Sequence, residues 1–265
     1  MSTLSLAVRD SSTMVRRNLL HARRYPSMTL NLLLTPVMLL LVFVYVFGDV
    51  MSAGLLDGHA DRGQYIAYVV PGILMMTIGG ASLGVAVSVC TDMTEGIIAR
   101  FRTMAVYRPS VLLGHVVGGV LQVLISVVLV IGVGFAIGFR TDASPLEWLA
   151  AVGLTLLTGL ALTWLAVGIG LSSPTPEGAS NVGLPLMILP LLGSAFVPVD
   201  SMPGWFRWFA DYQPFTPFIE TLRGLLLGTS IGNNGWLAVG WAVAIAALGA
   251  WWSTSLFNRD PSLSK

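Results

Sequence analysis

The chain has 265 residues, of which 55% are hydrophobic and only 10% are charged, and its mean hydropathy is +0.79. This composition excludes an ordinary soluble domain and indicates an integral membrane protein. A formal net charge of +1 argues against a nucleic-acid partner, and the single cysteine, Cys90, excludes an internal disulfide or a cysteine-based metal cluster.

The first segment, residues 1–27, predicts an amphipathic helix that lies in the membrane interface. At about 100° per residue, Leu4, Val8 and Leu19 fall in one apolar sector. The opposite side carries a row of arginines, which is typical of an interfacial helix: Arg9, Arg16, Arg17, Arg23 and Arg24. The alternative is a disordered basic leader that only fixes topology. The segment has no convincing signal-peptide cleavage site, so we expect it to be retained.

Six uncharged runs follow, and each is long enough to cross a bilayer as a helix, which takes ~20 apolar residues. They are residues 28–48, 64–91, 109–139, 148–176, 178–199 and 224–258. Continuous apolar runs without alternation favour helices over a β-barrel. Ion relays place ionisable groups at membrane depth, and these six runs contain no Asp, Glu, Lys or Arg. The energy that drives the protein is therefore expected to come from outside the membrane. The predicted domains are the interfacial helix 1–27, a six-helix transmembrane domain 28–258 and a short tail 259–265.

The arginine and lysine residues predict the orientation. If both termini are cytoplasmic, the inner segments hold ten of these residues and the outer segments four, Arg62, Arg140, Arg207 and Arg223. By the positive-inside rule, both termini are predicted to be cytoplasmic.

The inner loop after the second run, residues 92–110, predicts a short amphipathic helix. Ile97, Ile98 and Phe101 share one helical face, whereas Glu95 and Arg102 point away from it. Such a helix could dock a peripheral partner. An ordinary interfacial loop anchored by apolar side chains is the open alternative.

The outer segment 200–223 is rich in aromatic residues, which mark the membrane–water interface. Prolines at 203, 214 and 217 are expected to break its helices and to free backbone groups. The apolar run Phe215–Leu227 is too short to span and predicts a re-entrant helix that stops at Gly228, with Glu220 and Arg223 paired along it. The alternative is an aromatic belt without a mechanistic role.

Several kinds of active site are missing from the sequence. A phosphate-binding P-loop needs a lysine, but the only lysine is Lys265, the last residue. His21, His59 and His115 lie in separate segments and cannot converge on one metal ion. An intramembrane enzyme is therefore not expected. Gly-x-x-x-Gly spacings begin at Gly80, Gly114 and Gly134 and offer faces for close helix packing.

Two stretches carry a family resemblance. The inner loop reads TDMTEGIIARFRTMAVYRPS, and the outer segment reads FVPVDSMPGWF followed by QPFTPFIETLRGLLLG. With six predicted helices and a basic leader, the chain resembles the type-2 ABC exporter permeases, above all the daunorubicin-resistance-type drug permeases. Many members have Asn-Pro where this chain has Gln213-Pro214.

The resemblance implies a half-transporter in a bacterial plasma membrane. Two permease copies, or one copy with a related partner, would bind two copies of a separate ATPase, which would hold the ATP and Mg²⁺; the chain itself would need no cofactor. The inner loop, about 95–106, would be the coupling helix that contacts the ATPase through Glu95, Ile98, Arg100, Phe101 and Arg102. The leader, about 5–24, would be an elbow helix carrying Arg16, Arg17, Arg23 and Arg24.

The resemblance also implies an outer gate, formed by re-entrant helices over about 202–227 between spans five and six. Its residues would be Met202, Trp205, Trp208, Pro214, Pro217, Glu220 and Arg223.

Three functions are compatible with the residues. The first is the membrane subunit of an ATP-driven exporter, the second a charge-free secondary transporter or channel, and the third a structural or assembly protein. A pathway without charges suits a hydrophobic or amphipathic substrate such as a drug or a lipid, because a bare ion would lose solvation that nothing replaces.

Overall fold

The part of the chain that the structure describes is built from helices. The computed structural model of the protein describes residues 26–48, 62–96 and 108–258, and every regular element in these ranges is helical. The all-α prediction is therefore confirmed for these residues. The α-helices are α1 (Pro26–Tyr45), α2 (Arg62–Thr94), α3 (Arg108–Ala136), α4 (Pro145–Ser172), α5 (Pro176–Ile188), α6 (Gly204–Tyr212), α7 (Phe215–Leu227) and α8 (Asn234–Asn258).

Four of these helices, α2, α3, α4 and α8, are long and apolar enough to cross a membrane. Helix α1 has 20 residues and begins at Pro26, where the missing N–H of proline is tolerated. The predicted interfacial helix 1–27 lies almost entirely outside the described residues, as does the tail 259–265. The count of six spans stays a prediction.

Helix α2 is the axis of the bundle. It packs against α1, α3, α4, α5 and α7, and 72% of its apolar stretch is buried, compared with 17% for α8. Small residues permit this close packing, because a Cβ atom on Gly170 of α4 would lie 2.5 Å from the carbonyl oxygen of Ala86 in α2. Helix α8 is peripheral and contacts α4 and α7.

The fifth uncharged run does not form one continuous helix. Helix α5 has only 13 residues and passes into a 3-10 turn, Leu189–Leu192, before the chain becomes irregular. Pro185 and Pro190 explain the break, because neither can donate the N–H that an α-helix requires. In a continuous helix the carbonyl group of Leu186 would accept a hydrogen bond from the N–H of residue 190, which proline lacks. This carbonyl packs against Gly79 of α2, so closely that a Cβ atom added to Gly79 would lie 1.9 Å from the Leu186 oxygen.

The bundle has two distinct ends. The α7 end contains the start of α2, the α3–α4 connection and residues 193–233; there the rings of Phe43 and Phe196 stack with centroids 3.8 Å apart. The loop end is where α2 ends and α3 begins. These two ends carry the two predicted functional regions.

Candidate outer gate and coupling loop

Helix α7 is a short helix enclosed by longer ones. It covers Phe215–Leu227, and 11 of its residues are buried, in contact with α2, α4 and α8. It ends where the sequence predicted, at Gly228, whose φ of 65° lies in the left-handed region that favours glycine. The hydroxyl group of Thr141 donates to the carbonyl of Leu226 and so ties the end of α7 to the α3–α4 connection.

Arg223 connects α7 to two other parts of the chain. Its Nη2 donates to the carbonyl oxygen of Ser194 at 2.6 Å, and Nε and Nη2 both donate to the carbonyl oxygen of Tyr68 at 3.3 and 3.2 Å. The guanidinium also lies over the Tyr68 ring, 3.8 Å from its centroid. The hydroxyl of Tyr68 donates to the same Ser194 carbonyl at 3.3 Å. One buried cation thus joins α7, α2 and the segment that follows α5.

The predicted pair between Glu220 and Arg223 is formed. Arg223 Nη1 lies 2.5 Å from Glu220 Oε1, and the two side chains are 10% and 32% exposed. The carboxylate compensates the buried cation while keeping partial access to solvent. We name Tyr68, Ser194, Glu220 and Arg223 the Arg223 cluster.

Helix α6 has the opposite character, because most of its side chains are exposed. Trp205 and Trp208 are 80% and 67% exposed, as expected for residues that face headgroups. Arg207 pairs with Asp200 and lies 3.7 Å from Asp211. Both pairs are exposed, so they contribute little to stability.

The predicted breaks occur at Pro203 and Pro214, which lie between successive helices, whereas the predicted break at Pro217 is wrong. Pro203 is the N-cap of α6, Pro214 is the N-cap of α7 and Pro217 lies in the first turn of α7. The first four N–H groups of a helix have no partner within it, so proline removes no helical hydrogen bond there. Thr216 joins the two helices, because its hydroxyl donates to the carbonyl of Ala210 at 2.6 Å.

The structure brings some predicted gate residues together and not others. Glu220 and Arg223 share one cluster, whereas Trp205 and Trp208 lie on the exposed helix, and Met202, half-buried, precedes it. The sequence missed Tyr68 and Ser194, which lie in uncharged runs far from Arg223 along the chain. The available signal was indirect, since a buried arginine needs several acceptors, but nothing indicated which carbonyls would supply them.

Little of the predicted coupling loop lies in the described residues. Glu95 is exposed in the turn after α2, where its N–H donates to the carbonyl of Thr91 at 2.9 Å. Ile98, Arg100, Phe101 and Arg102 lie outside the described residues, as do the four leader arginines Arg16, Arg17, Arg23 and Arg24. The roles of these residues remain predictions.

Comparison with known families identifies the chain. The profile of the ABC-2 type transporter family matches residues 10–227, which is most of the chain and includes α1 to α7. The chain belongs to the ABC-2 type transporter family. As an ABC-2 type transporter with several apolar helices, it is a multi-pass membrane protein.

Two of the relatives of this ABC-2 transporter chain are named as permeases. It is 26% identical over 243 residues to the daunorubicin resistance ABC transporter permease protein DrrB1 of Streptomyces coeruleorubidus, covering 91% of this chain and 82% of the relative. It is 25% identical over 171 residues to the probable doxorubicin resistance ABC transporter permease protein DrrC of Mycobacterium tuberculosis, covering 63% and 60%. It is 28% identical over 229 residues to Nodulation protein J of Rhizobium meliloti, covering 82% of each chain. Family and relatives support a membrane subunit of an ABC exporter.

Proposed function

We propose that the chain is the permease subunit of an exporter that moves hydrophobic or amphipathic compounds across a bacterial plasma membrane, driven by a separate ATPase. The family match over residues 10–227 carries this proposal. The sequence adds that the six uncharged runs hold no Asp, Glu, Lys or Arg for an ion relay and that the chain lacks a P-loop lysine. Drug-like compounds are the preferred substrate class, because two relatives are named for resistance to daunorubicin or doxorubicin.

The Arg223 cluster supports a gate at the exit of the pathway. Helix α7 lies among α2, α4 and α8, and at Arg223 it is tied by hydrogen bonds to α2 and to the segment after α5. Any movement of α7 therefore either breaks these hydrogen bonds or moves their partner segments together with α7. In this proposal, the cluster holds α7 in the closed position and both termini face the cytoplasm, which places α7 on the outer side.

A second permease copy is proposed to complete the pathway, with α5 at the interface. Asn181 and Pro185 are exposed on α5, and Pro185 cannot donate the N–H that would pair with the carbonyl of Asn181. A polar side chain and a released carbonyl are disfavoured against lipid, so cover by protein is preferred. Helix α1 also has an exposed apolar face, which includes Leu34, Met38 and Val42. A homodimer would cover both helices, and a related permease could take the place of the second copy.

Purification from native membranes tests this assembly. We expect a tagged chain to retain an ATP-hydrolysing subunit and an untagged second copy of itself in mild detergent. The Phe101→Ala variant should fold and dimerise but should retain less ATPase or lose coupling, if Phe101 fills an apolar pocket of the ATPase. A chain that retains no ATPase under conditions that preserve the membrane would contradict the proposal and favour the secondary transporter.

A further inference from the structure

A buried carboxylate–imidazole pair lies at the loop end of the bundle. Asp92 is in the last turn of α2 and His115 is about two turns into α3. Nε2 of His115 lies 3.2 Å from Oδ2 of Asp92, and the side chains are 3% and 14% exposed. Among the described residues, Nε2 has no hydrogen-bond partner of good geometry, so the pair is defined by this close approach of two polar side chains.

The same end of α2 is also held on its other side. The thiol of Cys90 donates to the carbonyl of Ser173 at 3.3 Å, just after the end of α4. Close packing of Gly170 against Ala86 fixes α2 and α4 at van der Waals distance nearby. The last turns of α2 are thus fixed to α4 by packing, and the Asp92–His115 pair adds a contact from α2 to α3.

This pair brackets the segment for which the coupling role is proposed. The chain leaves α2 at Thr94, two residues after Asp92, and enters α3 at Arg108, about two turns before His115. A polar pair stabilises the packing of two helices less than a pair of apolar side chains would, because both polar groups lose their hydration when they are buried. Buried polar pairs are better suited to fixing the register of two elements than to adding stability.

We propose that Asp92 and His115 are positioning residues that hold the ends of α2 and α3 together, so that movement of the coupling loop is passed to both helices as one body. This inference rests on the proposed function. Without the pair, the loop would still bind the ATPase, but its displacement would be absorbed by separation of the two helix ends. The pair therefore acts on coupling and not on ATPase binding.

Four variants test the pair. Asp92→Asn and His115→Gln each remove one partner with little change in size, and the double variant Asp92→His with His115→Asp exchanges the partners. Thr94→Ala is the matched control, because Thr94 is exposed at the same helix end and, among the described residues, its hydroxyl donates within α2 to the carbonyl of Thr91 at 3.0 Å.

The first measurement is amide hydrogen exchange in the purified chain, which needs no ATPase. We expect exchange in the last turn of α2 and the first two turns of α3 to be roughly tenfold faster in each single variant, as for loss of one buried polar contact. The exchanged pair should recover most of the protection, and Thr94→Ala should match the wild type. Equal exchange in all variants would overturn the proposal.

The second measurement is ATP hydrolysis in the reconstituted complex with and without a hydrophobic export substrate. We expect both single variants to retain the ATPase subunit but lose substrate stimulation, and the exchanged pair to regain it. Full stimulation in the single variants, or no recovery in a folded exchanged pair, would overturn the proposal. If the wild type itself retains no ATPase, the proposed function fails, and the exchange measurement still decides whether the pair holds α2 and α3 together.

Discussion

Replacing Arg223 by alanine is the sharpest test of the gate. The substitution removes the cation that donates to the carbonyls of Tyr68 and Ser194 and leaves Glu220 without its partner. Arg207→Ala is the matched control, since it removes the same charge from the neighbouring helix α6, where Arg207 is 47% exposed.

The expected energies differ because the two arginines differ in burial. Breaking a buried ion pair by removing one partner costs about 3–5 kcal/mol. Glu220 keeps 32% of its side chain exposed, so the pair is only partly buried, and we expect about 2–3 kcal/mol for Arg223→Ala. That corresponds to a roughly 30- to 150-fold larger open fraction of α7. Arg207→Ala should cost less than about 1 kcal/mol, as for an exposed pair.

Two assays read out this difference. Amide exchange along α7 should accelerate in Arg223→Ala and stay unchanged in Arg207→Ala. Export of a hydrophobic dye from cells should fall in Arg223→Ala, while the amount of ATPase that co-purifies with the chain stays constant because the cluster lies at the opposite end from the loop. Equal export by the two variants, with both folded, would refute the gate and favour a simple interfacial belt.

The remaining predictions concern packing, coupling and topology. Gly79→Ala should destabilise the bundle by about 3 kcal/mol through overpacking, because its Cβ would lie 1.9 Å from the Leu186 oxygen. Gly132→Ala, whose Cβ would meet no atom of the described residues within 4 Å, should instead stabilise by about 0.5–1 kcal/mol, and thermal unfolding in detergent distinguishes the two. Phe101→Ala should lower the ratio of compound exported to ATP hydrolysed, and an unchanged ratio with full ATPase retention would remove Phe101 from the coupling loop. Neutralising the four leader arginines should give mixed topology, because they supply most of the positive charge near the first span; they are Arg16, Arg17, Arg23 and Arg24. Labelling of an N-terminal cysteine from outside the cell would detect inverted chains. Unchanged topology would mean that later loops set the orientation.

Local rules predicted part of the gate well. The bounds of α7 follow from Pro214 before it and Gly228 after it, and the pair Glu220–Arg223 follows from helical spacing. The tertiary partners of Arg223 could not be predicted, because they are backbone carbonyls, which every residue has. The error at Pro217 has a different cause, because the predicted start of α7 already placed Pro217 in the first turn, where a proline removes no helical hydrogen bond.

Helix packing was predicted less well than helix position. The Gly-x-x-x-Gly spacing pointed to Gly80, but a Cβ there would only touch the Met187 sulfur at 4.0 Å. The close approach occurs at its neighbour Gly79, because rotation of α2 about its axis decides which glycine faces α5. The break in the fifth run was also missed, although Pro185 and Pro190 were visible in the sequence.

ATP-driven uptake of daunorubicin into inside-out membrane vesicles is the most direct test of the central claim. Vesicles that contain the chain and its co-purifying ATPase should accumulate the compound with ATP, and vesicles with the chain alone should not. A proton gradient without ATP should give no uptake, because the uncharged runs hold no Asp, Glu, Lys or Arg for a proton relay and their single histidine, His115, lies at the loop end of the bundle. Uptake by the chain alone, driven by the gradient, would contradict the account and identify a secondary transporter.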